Sequence, residues 1–352
     1  MRRTSALPVA LAAAFLACSD PMGQPEQETT AGAAAVVPGE RWEVLAIASG
    51  NFNAAARDIN DAGVIVGTIS NGFSRAFRWS AGAITTYPAT EETWMKATGI
   101  NSNGLIVGST LRNDTVRGYV RLADGTVVLL PYYGQNGAEN YAVDINDAGE
   151  IAGYTSDYRG FRWSVSIGGW TVKPMPTLLN KPVITVYDIN NAGWIVGSAK
   201  PALGSAESEA FVQRPGGSVQ LLGSFGGPSK ANVINNSGTV FGGSDLANGV
   251  SRAFTWTSFG GMKDAGSLAH WSTYVAFSDK GRIVGTLPGP RTFTTYKGSY
   301  AVLPLPPNGV YSHVYAVNTC GVIVGRVRMN NDSWLAVRWR RVVGNPPVPI
   351  CD

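Results

Sequence analysis

Residues 56–67 read A-R-D-I-N-D-A-G-V-I-V-G, and variants of this phrase return six more times along the chain. Close copies begin at Ala97 (ATGINSNGLIVG), Ala142 (AVDINDAGEIAG), Val186 (VYDINNAGWIVG) and Ala231 (ANVINNSGTVFG). Looser copies begin at Tyr274 (YVAFSDKGRIVG) and Val314 (VYAVNTCGVIVG). The turn glycines of the seven copies are Gly63, Gly104, Gly149, Gly193, Gly238, Gly281 and Gly321, spaced 40 to 45 residues apart. A period of that size belongs to stacked supersecondary units, each unable to bury its apolar face alone.

Each period carries four strand signals. The A-x-D-I-N segment is the first and G-x-I-V-G the second; the latter is short, β-branched and apolar on both faces, as suits a strand covered on both sides. Between them, Asn-Asp-Ala-Gly or a variant supplies turn chemistry, with Gly in the left-handed position that closes a hairpin. The third strand is R-A-F-R-W at Arg75–Trp79, with counterparts at Arg117, Gly160, Ala210, Arg252 and Ala336. Period-two alternation puts Phe77 and Trp79 on one face. A Gly turn then precedes a fourth strand, as at Val127–Leu130, Val219–Leu222 and Ala301–Leu305. Four short strands in about 43 residues make the blade of a β-propeller. The expected fold is all-β, a seven-bladed β-propeller spanning residues 41–343.

The two ends favour a closed ring over an open β-solenoid with the same repeat. The seventh repeat reaches its third strand at Trp339 and then runs into Pro346-Pro347, leaving little room for a fourth. The strand-like segment Trp42–Ile47 precedes the first full repeat and is expected to supply the missing outer strand of the last blade, leaving fewer exposed edges.

The R-A-F-x-W and I-N-x-x-G-x-I-V-G segments resemble the HAF-repeat family of probable extracellular repeat proteins, above all in LLGSFGGPSKANVINNSGTVFGG at Leu221–Gly243. The resemblance spans residues 42–343. Ser278 and Cys320 depart from the pattern, standing where the first repeat has Asn60 and Ala62. The resemblance implies export and a repeat fold; it implies no defined reaction and therefore no catalytic residue.

Residues 1–17 have the pattern of an export signal: Arg2 and Arg3, the apolar run Ala6–Ala17, then Cys18. Phe15-Leu16-Ala17-Cys18 is similar to a lipoprotein cleavage site, with Cys18 as the lipidated residue; cleavage without lipidation is the alternative. Residues 18–40 read as a flexible tether, rich in Pro, Gln, Glu, Thr, Ala and Gly. The expected location is an outer-membrane or cell-surface lipoprotein, otherwise a periplasmic or secreted protein. In such an oxidising setting Cys320 and Cys351 are expected to form a disulfide pinning the tail, residues 344–352.

The chain has 28 Lys and Arg against 24 Asp and Glu, a formal net charge of +4. Removing residues 1–17 takes two arginines and no acid, which leaves the balance near neutral, with no basic stripe for nucleic acid. The cluster Arg338, Arg340 and Arg341 is expected to be a solvated strand edge. Trp79, Trp163, Trp256 and Trp339 share one repeat slot, and that recurrence points to packing between blades. The D-I-N-D-A-G phrase invites a calcium reading, but Ala62 supplies no ligand and the second repeat has no carboxylate. Two histidines do not build a zinc site by themselves. The Gly-rich stretches lack a following helix to receive phosphate, and there is no G-x-S-x-G elbow. No cofactor or metal is expected.

Function is therefore sought in what does not repeat. The connections from each fourth strand to the next first strand vary, and loops on a rigid scaffold commonly carry function. Candidate ligand-binding residues there are Trp94, Tyr133, Glu139, Tyr141, Lys230, His270, Trp271, Tyr311 and His313. Aromatic side chains with sparse charge suit a glycan, cell-wall polymer, peptide or protein ligand, the chain itself being a monomer. Two further readings stand beside this one. The first is an extracellular polymer hydrolase or lyase, pairing Glu91 or Glu92 with Glu139 or using a histidine base. The second is a structural envelope component.

Overall fold

The computed structural model describes residues 40–350 except 49–52, 88–93, 113, 132–137, 167–168, 177–180, 182, 203, 267–275, 288, 290, 298 and 345–347. The described residues form seven antiparallel sheets and no helix. Blade 1 is typical: Asn53–Ile59, Ile65–Ser70, Ser74–Ser80 and Ala83–Thr86 pair in chain order. First strands of successive blades touch one another, and that of blade 1 touches that of blade 7, so the ring is closed with first strands innermost.

Closure works as the ends of the sequence predict. Glu40–Ala46 pairs antiparallel with Trp334–Val343, from Glu40 opposite Val343 to Ala46 opposite Val337. The expected tail adds a short strand of its own, Val348–Ile350, folded back on Arg341–Val343. The arginines near this strand are not a solvated edge. Arg340 pairs with Glu43 of the closing strand at 2.9 Å, and the Arg338 guanidinium lies 4.4 Å from the Trp79 ring centre in blade 1. They sit there because the closing strand covers the edge that the isolated repeat would expose. Cys351 lies outside the described residues, as does Cys18.

The core repeats with the sequence. Phe77, Phe161, Phe211 and Phe254 are buried completely, as are Trp163 and Trp339. The indole N–H of Trp163 donates to Pro131 O at 3.0 Å, and that of Trp339 to Pro304 O at 2.7 Å, so these buried polar atoms are satisfied. Blade 6 lacks the R-A-F-x-W signature, yet Thr292–Tyr296 is its third strand and Phe293 fills the phenylalanine slot.

The repeated phrase does more than turn the chain. In blade 1, Gly63 N donates to Asn60 O, Gly63 has φ +75°, and Val64 N donates to Asn60 Oδ1 at 3.0 Å. The side-chain Nδ2 of Asn60 then crosses to blade 2 and donates to Asn101 O at 3.0 Å. Asn101 does the same to Asn146 O, Asn146 to Asn190 O and Asn190 to Asn235 O. Asn318 of blade 7 donates to Asn60 O at 3.2 Å, joining the last blade to the first across 258 residues of sequence. A second, exposed belt is built from side chains that reach back to the preceding blade. Side chains of Asp147, Asn191, Asn236, Asp279 and Asp61 accept from the backbone N–H of Ser102, Asp147, Asn191, Asn236 and Thr319 in the preceding blade.

The last glycine of I-V-G has a separate duty. The first strand bulges at the residue before the Asp slot, between Val186 and Asp188 in blade 4. A Cβ at Gly197 would stand 2.0 Å from Thr185 O and 2.9 Å from the Phe211 ring. Gly197→Ala is expected to cost about 3 kcal/mol in chemical denaturation, since backbone and a buried ring would both have to move. Ser278 is the belt's weak member: its hydroxyl accepts Arg282 N at 3.1 Å but it has no amide to send to blade 7. Ser278→Asn is expected to stabilise by about 1 kcal/mol in the same assay; a loss would mean that blade 6 cannot seat the longer side chain.

Candidate functional site

Alternating strand direction fixes what lies at each end of the channel. Connections from fourth to first strands and turns from second to third lie at one end, called here the connection end. The Asn-Asp-Ala-Gly turns lie at the other, the turn end. At the turn end the first strands enclose a cavity of about 320 Å³. Its lining includes Arg57, Tyr187 and Tyr315 from the bulges, and the carboxylates Asp58, Asp144 and Asp188.

The three carboxylates occupy one repeat slot, filled elsewhere by Gly99, Val233, Ala276 and Ala316. Asp58 accepts from Ile59 N at 2.8 Å and, across the blade boundary, from Ile100 N at 2.8 Å. Asp188 accepts likewise from Ile189 N at 2.9 Å and Ile234 N at 2.7 Å. Each thus fastens its blade to the next. Enclosure by protein pushes the Asp58 carboxyl up to about 7, with the Asp144 charge adding to it and the two amides opposing it. Asp144 is raised well above the usual range, first by burial and then by the charge of the neighbouring Asp188. Asp188 is also raised, by burial. Carboxylates whose oxygens are committed to backbone amides are fasteners, not free general acids. Among the described residues no group of three or more His, Cys, Asp or Glu is placed to hold a metal ion.

At the connection end the sequence-predicted residues fall into separate groups. Tyr133, His270 and Trp271 lie outside the described residues, as do Glu91 and Glu92. Trp94 is half-buried, with Lys96 Nζ 4.9 Å from its ring centre. The Tyr141 hydroxyl donates to the Glu139 carboxylate, and Tyr141 stacks on Tyr154 at 5.4 Å. Burial, then the bond to Glu139, pushes the Tyr141 phenol up. Lys230 is half-buried on the first strand of blade 5 and forms no ion pair among the described residues. Phe73 and Val250, in second-to-third turns, leave 63 % and 48 % of their surface exposed at this end.

Tyr311 and His313 come together in a column that sequence reading missed. Tyr311 meets His313 edge-on at 4.7 Å. His313 stacks on Trp334 at 5.6 Å and on Tyr315 at 6.5 Å. The Arg326 guanidinium lies 3.8 Å from the Trp334 ring centre and 6.0 Å from that of Tyr315; Arg57 of blade 1 lies 4.3 Å from Tyr315. Burial, then Arg326 and Arg57, hold His313 down at about 4, so it is neutral at pH 7 and weak as a base. The available signal was the slot of Arg57 and Tyr315, whose chemistry varies among the repeats: Thr98, Val143, Tyr187 and Asn232 stand there in others.

No protein-family model matches the chain, and no curated protein matches its sequence. Solved structures do match its fold. Virginiamycin B lyase from Staphylococcus aureus, catalytically inactive and bound to quinupristin, is 11 % identical over 85 % of this chain and 99 % of its own, with TM-score 0.55. YCF48 bound to D1 peptide is 10 % identical over 90 % and 99 %, with TM-score 0.56. Puromycin hydrolase in complex with PGG is 13 % identical over 86 % of this chain and 53 % of its own, with TM-score 0.56. At these identities the likeness is one of fold.

Two shifted groups give stability opposite dependences on pH. Asp58 is raised to about 7, so its contribution is complete below the ordinary aspartate value of 3.8 and is lost as pH rises through 7. His313, lowered to about 4, contributes above its ordinary 6.5 and loses that contribution as pH falls toward 4. Between pH 4 and 6.5 the two dependences oppose each other, so the melting temperature of the unmodified protein should change little there. Asp58→Asn should uncover stability that rises with pH, by about 2 kcal/mol between pH 4.5 and 6, and His313→Gln stability that falls over the same range. A profile unchanged by Asp58→Asn would show that Asp58 is ionised in the folded protein throughout.

Proposed function

We propose that this chain is an exported binding propeller that grips a peptide or protein segment at the connection end of its channel. The observation that carries the reading is where repeat symmetry breaks. The core slots recur from blade to blade, whereas the slots of Trp94, Tyr141, Tyr311 and His313 vary among the repeats and gather at one end. Rigid aromatic side chains give large contact area at small entropic cost. YCF48, a propeller of like fold, binds a peptide. The enzyme reading is weaker at His313, which is a poor base, and at Glu139, whose carboxylate is engaged by Tyr141.

The repeat residues support membership of the HAF-repeat family, and the first 40 residues support export with a lipid on Cys18. A Cys320–Cys351 disulfide fits that location. Detergent phase partitioning tests the anchor: the mature protein should enter the detergent phase and Cys18→Ala should not. Equal partitioning of the two would remove the lipid from the reading.

Binding is tested by screening the purified protein against peptide and cell-wall glycan arrays. Trp94→Ala is expected to weaken peptide binding about tenfold without changing the melting temperature. Binding to glycans alone would replace the peptide reading with a lectin-like one, and binding to neither would favour a structural envelope role.

A further inference from the structure

The column between blades 7 and 1 holds two guanidinium groups within 6.0 Å of one tyrosine ring, those of Arg57 and Arg326. Neither forms an ion pair among the described residues. The Arg326 Nε is buried without a hydrogen-bond partner. Two like charges beside one ring in a half-buried seam repel each other, and the aromatic faces offset only part of that cost. His313 independently registers the local field, because both arginines help to keep its imidazole neutral. A guanidinium over a ring still carries N–H donors that suit a planar bidentate acceptor.

From this geometry we infer that Arg57 and Arg326 form a carboxylate-binding site inside the channel, where the His313 column meets the cavity that Arg57 and Tyr315 line, and that a peptide gripped at the connection end presents an acidic residue to it. The inference rests on the binding reading above and gives it a chemistry. Trp334 is already flanked by His313 and Arg326, so this part of the face offers charged edges rather than a bare ring for a sugar. Other unpaired cations stand on the first strands of blades 2 and 5. Lys96 and Lys230 share the repeat position of His313, one residue before the repeated Ala or Val, and neither is ion-paired among the described residues.

The test uses the full chain and an array of acidic peptides, each paired with its Asn and Gln counterpart, with free glucuronate as a separate probe. Acidic peptides should bind at least tenfold more tightly than their amide partners, and the preference should shrink as salt is raised. Arg326→Gln and Arg57→Gln should each reduce the preference about tenfold. Arg214→Gln, which removes a comparable guanidinium 4.3 Å from the Trp194 ring centre, should leave it unchanged. The imidazole resonance of His313 should shift saturably with acidic peptide. If Arg326→Gln unfolds the protein, that resonance in the unmodified chain carries the test alone. Equal binding of acidic and amide peptides would overturn the carboxylate site while leaving the binding face intact. Failure of every peptide would overturn the binding reading itself, and glucuronate binding without peptide binding would overturn the choice of a peptide.

Discussion

The ring depends on what an asparagine side chain does at the end of five of the seven first strands. Its carbonyl oxygen accepts the N–H four residues on and so holds its own turn. Its amide donates to the turn carbonyl of the next blade. Aspartate could not donate, and serine is too short to reach. Each blade's turn is therefore correct only when its neighbour stands in register. Because these amides are buried, a misplaced blade would leave unpaired polar groups in the core, which costs more than the bond gains. The exposed belt, whose side chains reach back to the preceding blade, ties the same turns a second time. Seven sheets that share no strand, apart from the closing one, are thus joined by side chains as well as by apolar packing.

Much of this architecture is legible in one dimension because it repeats. The period, the left-handed glycines and the tryptophan slot each announce a recurring local need, and seven copies average away local exceptions. What is harder to read is any residue that serves its own blade and a neighbour at once. Asn60 looks like a turn residue and is one, and nothing local shows that its amide crosses to Asn101. Gly197 looks like turn punctuation, but it sits where two strands approach so closely that no Cβ fits. Arg338 and Arg340 read as solvent-facing because their partners, Trp79 and Glu43, lie some 260 and 300 residues earlier. The Arg57–Tyr315–Arg326 column has the same character: it exists only where the ring closes.

The channel also has an axial charge order. Asp58, Asp61, Asp144, Asp147, Asp188 and Asp279 line the cavity at the turn end. Lys96, Lys230 and Arg326 stand on the strands toward the connection end. Low-dielectric walls focus such a difference along the axis. The carboxylates do not express their full charge, since burial holds Asp58, Asp144 and Asp188 toward the protonated form. The same groups that fasten blades 1 to 2, 3 to 4 and 4 to 5 thereby moderate the field they would otherwise create.

The closing strand inverts the order of synthesis. Glu40–Ala46 is made before any blade, yet its partner Trp334–Val343 is among the last strands to appear. Until then the first strand has no edge to join, and the belt from Asn318 to Asn60 cannot form. Contacts so distant in sequence slow folding, because the whole intervening chain must be ordered before they reward it. A chain interrupted before residue 334 would hold most of its blades and still lack a closed ring. Its open first and last blades would offer unpaired strand edges to other chains. The latch is thus a completeness check: only a full-length molecule hides its ends.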